Sequence, residues 1–459
     1  MTPSSFSESA SRQDSPRLSR QSRLAMAALM VSIALAILDT AIANTALPSI
    51  AASLHTAAGT SVWIINAYQL AAVATLLPFA ALGAAVGHRR VYIGGLVVFT
   101  VASAGCALSG SLTALIAARV CQGIGASAIM SVNTALIAML YPRAMLGRGL
   151  GLNALVVGAS FALGPTAASA ILSLGDWPWL FAVNLPIGLV AIVFSLSSLP
   201  RSPASAAGFD AKAAMLTSIA FAALIYGLAA TAQGEPWTHT LGALLLFVVA
   251  LAALTAHERD KLAPMLPLDL LKRPLFTLSV LTSFCAFAAQ GLAFVALPFH
   301  LEHAMGMSAQ QTGYVMTPWS VVVALMAPLA GRLSDRFAPG ILGGLGLLCL
   351  ALGMLLLAAL PHAAPLAALL GGMIVAGLGF GLFQSPNQKA IMSAAPADRS
   401  SGASGIVAMA RLIGQASGAS LVALSFGLAG AHGTLVALLL GAGFAVAGGI
   451  ASLARLALR

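Results

Sequence analysis

The chain has 459 residues, of which 59% are hydrophobic and 7% charged, and its mean hydropathy is +0.97. No water-soluble domain hides so much apolar surface, so the composition excludes that class and indicates a membrane protein. The formal net charge of +10 does not indicate nucleic-acid binding, because the basic residues are scattered in small groups between apolar runs and form no patch.

Apolar runs of about 20 residues without alternation predict membrane-spanning α-helices and not barrel strands. The fold class is therefore an all-α polytopic membrane protein. Residues 1–23 are polar and predict a cytoplasmic N-terminal tail, since the following run is too long for a signal peptide. Fourteen spans are predicted, at about 24–47, 61–86, 91–110, 112–140, 149–173, 179–199, 211–231, 240–256, 275–299, 311–330, 340–360, 365–385, 401–430 and 434–454.

The basic residues support this count. All but two of the 22 lysines and arginines fall at a terminus or in every second connection, where cytoplasmic loops collect positive charge. An even number of spans with both termini in the cytoplasm preserves this alternation.

Three charged residues lie deep inside the predicted spans, away from their ends. Asp39 and Arg119 both lie roughly 10–12 Å below the outer surface, at 1.5 Å of rise per residue. Their contact is a hypothesis, since sequence does not show which helices touch. A charge at membrane depth is unfavourable and usually marks a substrate or ion pathway, so Asp39 is a candidate group for proton coupling or substrate recognition. A structural ion pair is the alternative for both residues, and Arg411 could line a cavity or join a polar network.

The chain also repeats itself at an offset of about 250 residues. AALGAAVGHRR (80–90) corresponds to AGRLSDRFAPG (330–340), and QGIGAS (122–127) corresponds to AGLGFG (376–381). The repeat predicts a six-helix half at 24–199, two inserted helices within 200–262, and a second six-helix half at 263–459. In such an arrangement the substrate site lies between the halves near mid-membrane.

A series of motifs resembles the major facilitator superfamily and, within it, the fourteen-span drug:proton antiporters. The segments are LDTAIANTALP (38–48), LIAARVCQGIGAS (115–127), VGASFALGPTAAS (157–169), WPWLFAVNLPIG (177–188), PMLPLDLLKRPLF (264–276) and GRLSDR (331–336). The chain departs from the family pattern at Ala84, where an acid is usual, and at Ala168 and Ser169, where glycines are usual.

The resemblance implies the major facilitator fold, with two six-helix halves plus two inserted helices, and site residues at the matching positions. It places the candidate coupling and substrate residues at Asp39 and Arg119, with Asn44 and Gln122 beside them. Conformational roles are implied for Gly123, Gly158, Gly164, Pro165, Gly331, Asp335 and Arg336.

Depth along the helices adds further candidates for a cavity. Tyr68 and Gln69 lie near the level of Asp39, and Arg411 completes the cavity candidates. Four phenylalanines would suit a lipophilic pocket, although packing in lipid is the commoner role: Phe161, Phe284, Phe287 and Phe294.

These observations together predict a proton-coupled efflux transporter for small lipophilic compounds, cationic ones in particular. One alternative is a proton-coupled transporter of a single metabolite, and another is a non-transporting sensor or scaffold. The sequence carries no catalytic, nucleotide-binding or metal-binding motif, so no enzyme activity, cofactor or metal is predicted. The expected partners are the substrate, protons and the lipid bilayer of a bacterial inner membrane, with a periplasmic adaptor left open.

Overall fold

The computed structural model describes residues 19–141, 146–201, 209–232, 235–259, 261, 264–266, 268–361, 364–395 and 400–458. These residues contain fourteen helices long and apolar enough to cross a membrane, as the sequence predicts. Most of the predicted tail, together with Arg143, Arg399 and Arg459, lies outside the described residues.

Spans 1 to 6 are Arg20–Ser53, Ala58–Ser61 continued by Trp63–Val86, His88–Ala107, Leu112–Leu140, Leu146–Leu174, and Trp179–Ala182 continued by Asn184–Ser198. Spans 7 and 8 are Ala211–Ala232 and Trp237–Glu258. Spans 9 to 14 are Pro274–Phe299 with a π-helical turn His300–Ala304, Ala309–Leu333, Pro339–Ala359, Leu366–Ala394, Ser400–Ala429 and Gly433–Ala454.

Two spans continue past the proline where the sequence predicts their end. Span 1 runs through Pro48 to Ser53, and span 12 runs through Pro386 to Ala394. Both prolines are buried against neighbouring helices. A proline removes a single backbone hydrogen bond, and enclosure by other helices allows the helix to continue beyond it.

Helix packing repeats between spans 1–6 and spans 9–14. Span 4 packs against spans 2 and 3 as span 12 packs against spans 10 and 11, and span 1 packs against spans 5 and 6 as span 9 packs against spans 13 and 14. Spans 7 and 8 pack on each other, and span 7 also contacts spans 2 and 13. The two inserted helices therefore lie beside the seam between the two groups of six.

Arg89 and Arg90 lie in the first turn of span 3, Arg332 lies in the last turn of span 10, and Arg336 follows span 10. We call this side of the bundle the basic end. Two of the contacts that join the two groups of six lie toward the opposite end. Spans 5 and 10 meet through Thr166 and Thr317, whose hydroxyl oxygens are 2.7 Å apart. A buried apolar cluster drawn from both groups of six also lies there, and it includes Leu47, Ile50, Val62, Phe299 and Val422. The bundle is thus closed by packing at the end opposite the basic loops.

Arg455, one of the basic residues predicted to lie at a cytoplasmic terminus, is 3% exposed. It donates to the side chains of Ser279 at 2.9 Å and Asn387 at 2.7 Å, and Asn387 donates to Ser283 at 2.7 Å. The arginine therefore ties the end of span 14 to spans 9 and 12. This role depends on helices that are distant in sequence.

Asp210 joins the basic ends of the inserted helices, because its carboxylate pairs with His257 at 3.1 Å and with Lys261. The backbone N–H of Ala213 donates to Asp210 at 3.0 Å. That hydrogen bond and then the Lys261 ammonium hold the pKa of Asp210 well below its usual value. The connection before span 7 is anchored to the end of span 8 by this group.

Candidate functional site

Asp39 lies in the middle of span 1, is 1% exposed, and accepts three hydrogen bonds from spans 4 and 6. Its Oδ2 accepts from Nη1 of Arg119 at 2.6 Å. Its Oδ1 accepts from Nε2 of Gln122 at 2.8 Å and from Nδ2 of Asn184 at 2.7 Å. A buried carboxylate is tolerated when it is paired and hydrogen-bonded in this way.

Arg119 is equally buried and has four neighbours besides Asp39. Its Nε donates to the carbonyl of Ile64 at 3.1 Å, and Nη1 also donates to Oε1 of Gln122 at 2.6 Å. Its guanidinium carbon lies 4.2 Å from the ring centroid of Tyr68 and 5.6 Å from that of Phe181. The ion pair considered from sequence is present, and aromatic rings cover its cation on two sides.

Two further residues of this network were not singled out from the sequence. Asn184 begins the main helix of span 6, and Ser103 on span 3 accepts from Gln122 at 2.9 Å and from Asn184 at 3.4 Å. Asn184 stands in the segment WPWLFAVNLPIG, so its position in an apolar run was an available signal. A serine inside a span carries no such signal, because serine hydroxyls commonly bond to their own helix backbone.

A cavity of about 70 Å³ lies between spans 1–6 and spans 9–14. Tyr68, Gln69 and Arg411 line it, whereas Asn44 and Gln122 do not. The cavity also adjoins Phe161 and Phe287 but not Phe284 or Phe294. The other residues lining it are Ala36, Ile37, Thr40, Ala72, Met130, Val157, Gly158, Ala162, Gln290, Trp319, Ser320, Val323, Phe380, Gln384, Leu412 and Gln415.

Asp39 and Arg119 do not line this cavity. Tyr68 both lines the cavity and packs its ring on the Arg119 guanidinium, and Thr40, the neighbour of Asp39, lines it too. The hydroxyl of Tyr68 donates to the carbonyl of Ala36 on span 1 at 3.4 Å. Tyr68 is therefore the partition between the buried ion pair and the central cavity.

The glycines predicted to have conformational roles fall into two groups. A Cβ on Gly123 would overlap the carbonyl oxygen of Tyr68, and a Cβ on Gly164 would overlap Ala41, so spans 4 and 5 approach spans 2 and 1 closely at these points. A Cβ on Gly158 or Gly331 would meet no atom within 4 Å. Gly123 thus positions the backbone of the residue that covers Arg119.

Pro165 and Gly164 lie where span 5 meets spans 1 and 10. A Cβ on Gly313 of span 10 would overlap the carbonyl oxygen of Pro165, and Ser169 of span 5 approaches the same glycine. Spans 5 and 10 therefore have no room for an added methyl group at this crossing. Any movement between the two groups of six has to change this contact.

The loop motif after span 10 contacts span 12. Lys389 donates to a carboxylate oxygen of Asp335 at 2.5 Å and to the carbonyl of Ser334 at 3.1 Å. Arg336 is exposed beside them. Asp335 thus joins two spans of the same six-helix group at the basic end.

The cysteines do not form a metal centre in the described part of the chain, where no group of three or more His, Cys, Asp or Glu side chains could hold a metal ion. Cys106 and Cys285 are buried, and the thiol of Cys106 approaches Oε1 of Gln122 at 3.5 Å. Cys106 therefore extends the polar network around Asp39.

Fourteen spans, a repeated six-helix packing and a small cavity at the seam define a membrane transporter. The model of the Major Facilitator Superfamily matches residues 29–419, and the chain belongs to this family. The resemblance carried by the sequence motifs is therefore confirmed.

Three similar proteins are named as transporters or exporters. An uncharacterized transporter YebQ of Escherichia coli (strain K12) is 47% identical over 92% of this chain and 93% of its own. Riboflavin transporter RibZ of Clostridioides difficile (strain 630) is 30% identical, with 82% of each chain covered. The tetracenomycin C resistance and export protein of Streptomyces glaucescens is 31% identical over 86% of this chain and 74% of its own.

Among solved structures, a POT family transporter in complex with 5-aminolevulinic acid matches with a TM-score of 0.70. The alignment covers 96% of each chain at 16% identity. At this identity the likeness concerns the fold alone.

Proposed function

We propose that the protein exports small lipophilic compounds in exchange for protons, with Asp39 as the proton-carrying group and the central cavity as the substrate site. The observation that carries the proposal is the ion pair between Asp39 and Arg119, separated from the cavity by Tyr68. A titratable group in the membrane interior, with one residue between it and the cavity, supports a role in coupling.

Coupling follows from the shared position of Tyr68. When Asp39 takes up a proton, its carboxyl no longer balances the charge of Arg119, and the guanidinium must shift toward its other acceptors, Ile64 and Gln122. Tyr68 packs on that guanidinium, so its ring moves with it and changes the cavity wall. A substrate that binds the cavity only when the Tyr68 ring is in its original position then competes with protonation of Asp39. One unit of pH difference supplies about 1.4 kcal/mol per proton to drive the exchange.

Alternating access requires the two groups of six helices to separate and rejoin. The cavity of about 70 Å³ is far smaller than the roughly 300–1,000 Å³ of typical small-molecule sites, so substrate entry requires such a movement. The closed end lies opposite the basic loops, which are cytoplasmic by the positive-inside rule. We therefore assign this conformation to the side of the cycle in which the outer end is closed, with both termini in the cytoplasm of a bacterial inner membrane.

Efflux is the favoured direction because of the relative named for resistance and export. The alternative, transport of one specific metabolite, is favoured by a different observation. Four glutamines line the cavity, which is more hydrogen-bonding capacity than a purely lipophilic pocket needs. A relative named as a riboflavin transporter is consistent with that alternative. A preference for cations finds no support in the cavity itself, since Asp39 does not line it.

Proteoliposomes with a checked protein orientation test the proposal. The measurement is the change in lumenal pH when ethidium or 2-naphthoate is added, for the wild type and for Asp39→Asn. 2-Naphthoic acid also crosses bilayers as the neutral acid, so the passive pH change of protein-free liposomes is subtracted. After this subtraction we expect proton movement with at least one probe in the wild type and none in Asp39→Asn. Asp176→Asn is the matched control, because Asp176 is an exposed acid in the loop between spans 5 and 6.

The outcomes separate the hypotheses. Proton exchange by Asp39→Asn at the wild-type rate would place coupling elsewhere. Substrate movement without any pH change would refute proton coupling but leave a transporter. If the wild type moves protons with neither lipophilic probe, the result would favour the alternative that the protein transports one specific metabolite.

A further inference from the structure

The central cavity carries a positive charge and no negative one. Among the described residues that line it, Arg411 is the charged residue, and none is an aspartate or glutamate. Arginine keeps its charge in proteins, and no carboxylate of the described residues lies within ion-pair distance of it. The one acid in the membrane interior nearby, Asp39, is already matched by Arg119 behind the Tyr68 ring.

Three buried polar atoms of residues that line the cavity have no hydrogen-bond partner among the described residues. Two of them can donate, and the third, Oε1 of Gln69, only accepts. Trp319 is 1% exposed and Ser320 is 2% exposed, and both line the cavity. The indole Nε1 of Trp319 and the hydroxyl of Ser320 have no hydrogen-bond partner among the described residues. An indole N–H only donates, and a buried donor without a partner is unfavourable by about 1–3 kcal/mol. The two donors therefore favour a ligand that brings hydrogen-bond acceptors.

Aromatic rings form much of the remaining wall. The rings of Phe287 and Phe380 meet edge to face, with their centroids 5.5 Å apart. Both residues line the cavity, together with Trp319 and Phe161. Such walls hold flat apolar ring systems well.

We infer that the cavity binds small aromatic compounds that carry an anionic acceptor group, a carboxylate or an ionised enol or phenol, with that group held by Arg411 and the donors of Trp319 and Ser320. The inference rests on the proposed substrate site and names the class of substrate that it accepts. The guanidinium offers a planar pair of N–H donors that matches a carboxylate in a bidentate manner. A cation of the same shape would meet Arg411 with like charge and leave the donors unpaired.

The test compares two probes with the same ring system and opposite charge, 2-naphthoate and 2-naphthylmethylammonium. Binding is measured by isothermal titration calorimetry on the full-length protein in nanodiscs of zwitterionic lipid, with empty nanodiscs subtracted. Zwitterionic lipid keeps the two probes from being enriched at the surface by opposite charge. We expect the wild type to bind naphthoate at least 10-fold more tightly than the ammonium compound.

Variants assign the preference to the named groups. Arg411→Gln removes the charge and should weaken naphthoate binding 10-fold to 100-fold while leaving or improving binding of the ammonium probe. Arg411→Lys should retain part of the naphthoate affinity. Trp319→Phe keeps a ring but removes the donor, and should weaken naphthoate binding 3-fold to 10-fold. Arg201→Gln is the control for loss of one positive charge, because Arg201 is exposed outside the cavity.

Three results would overturn the inference: tighter binding of the ammonium probe by the wild type, unchanged naphthoate affinity in a folded Arg411→Gln, or no binding of either probe. The folded state of each variant is checked by its melting temperature. Binding in nanodiscs involves no proton gradient, so these results are independent of coupling. If naphthoate binds as expected and is transported without any pH change in proteoliposomes, the proton-exchange proposal fails and the substrate class stands.

Discussion

The buried ion pair of Asp39 and Arg119 should be strongly coupled in stability, and a double-mutant cycle measures this. Asp39→Asn preserves the shape of the side chain but exchanges one acceptor oxygen for an NH₂ donor. The carboxylate accepts from Arg119 on one oxygen and from Gln122 and Asn184 on the other. Whichever way the new amide is turned, at least one donor then faces another donor. The arginine also keeps its charge in a site 1% exposed.

Removing one partner of a buried pair destabilises a protein by about 3–5 kcal/mol, because the other charge stays buried without compensation. We expect Asp39→Asn to lose several kcal/mol, reduced by the remaining acceptors of Arg119, the carbonyl of Ile64 and Oε1 of Gln122. Arg119→Leu should lose a similar amount. The double variant contains neither charge, so its loss should fall short of the sum by about 3 kcal/mol.

Unfolding by denaturant titration in mixed micelles, with wild type and the three variants under one condition, gives the four free energies. The chain supplies a matched exposed pair in Asp335 and Lys389, whose side chains are 71% and 49% exposed. For that pair the coupling should be at most about 1 kcal/mol. The contrary result is a double variant whose loss equals the sum of the two single losses within about 0.5 kcal/mol. It would show that the two charges do not stabilise each other.

Three further changes test other contacts. Gly123→Ala should lower stability by about 1–3 kcal/mol, measured by thermal unfolding, because the methyl group overlaps the backbone of Tyr68 and no rotamer relieves it. Arg455→Ala should lose about 2–4 kcal/mol in the same assay, since it leaves buried polar partners unpaired. Asp210→Asn should lose about 1 kcal/mol or less near neutral pH, because Asp210 is partly exposed. The pKa of Asp210 is lowered in the folded protein, so its contribution is complete above its ordinary pKa of about 3.9 and disappears in acid.

Each of these three predictions has a result that would contradict it. Gly158→Ala is the control for Gly123→Ala, since a methyl group there meets no atom within 4 Å, and equal losses in the two variants would refute the close approach of spans 2 and 4. Wild-type stability of Arg455→Ala would show that the arginine does not join spans 9, 12 and 14. A deficit of Asp210→Asn that grows as the pH of unfolding is lowered from 7 to 3 would contradict the ion-pair role of Asp210.

The sequence by itself determined the class of the protein, the number of spans and the residues worth attention. These properties are local: a run of apolar residues needs no partner to be recognised, and a charge such as Asp39 or Arg119 stands out against it. The positive-inside pattern and the repeat at about 250 residues are also read along the chain. The end of span 1 at Pro48 was wrong for a related reason, because whether a helix passes a proline depends on the helices around it.

Only the tertiary structure decided which of these residues meet. Asp39, Ser103, Arg119 and Asn184 come from four different spans, and their hydrogen bonds depend on how the helices rotate and pack. The same packing placed Tyr68 between the ion pair and the cavity, and left Arg411 inside the cavity without a carboxylate. Charge at a given depth can be read from sequence, but the direction in which it faces is set by contacts between helices far apart in the chain.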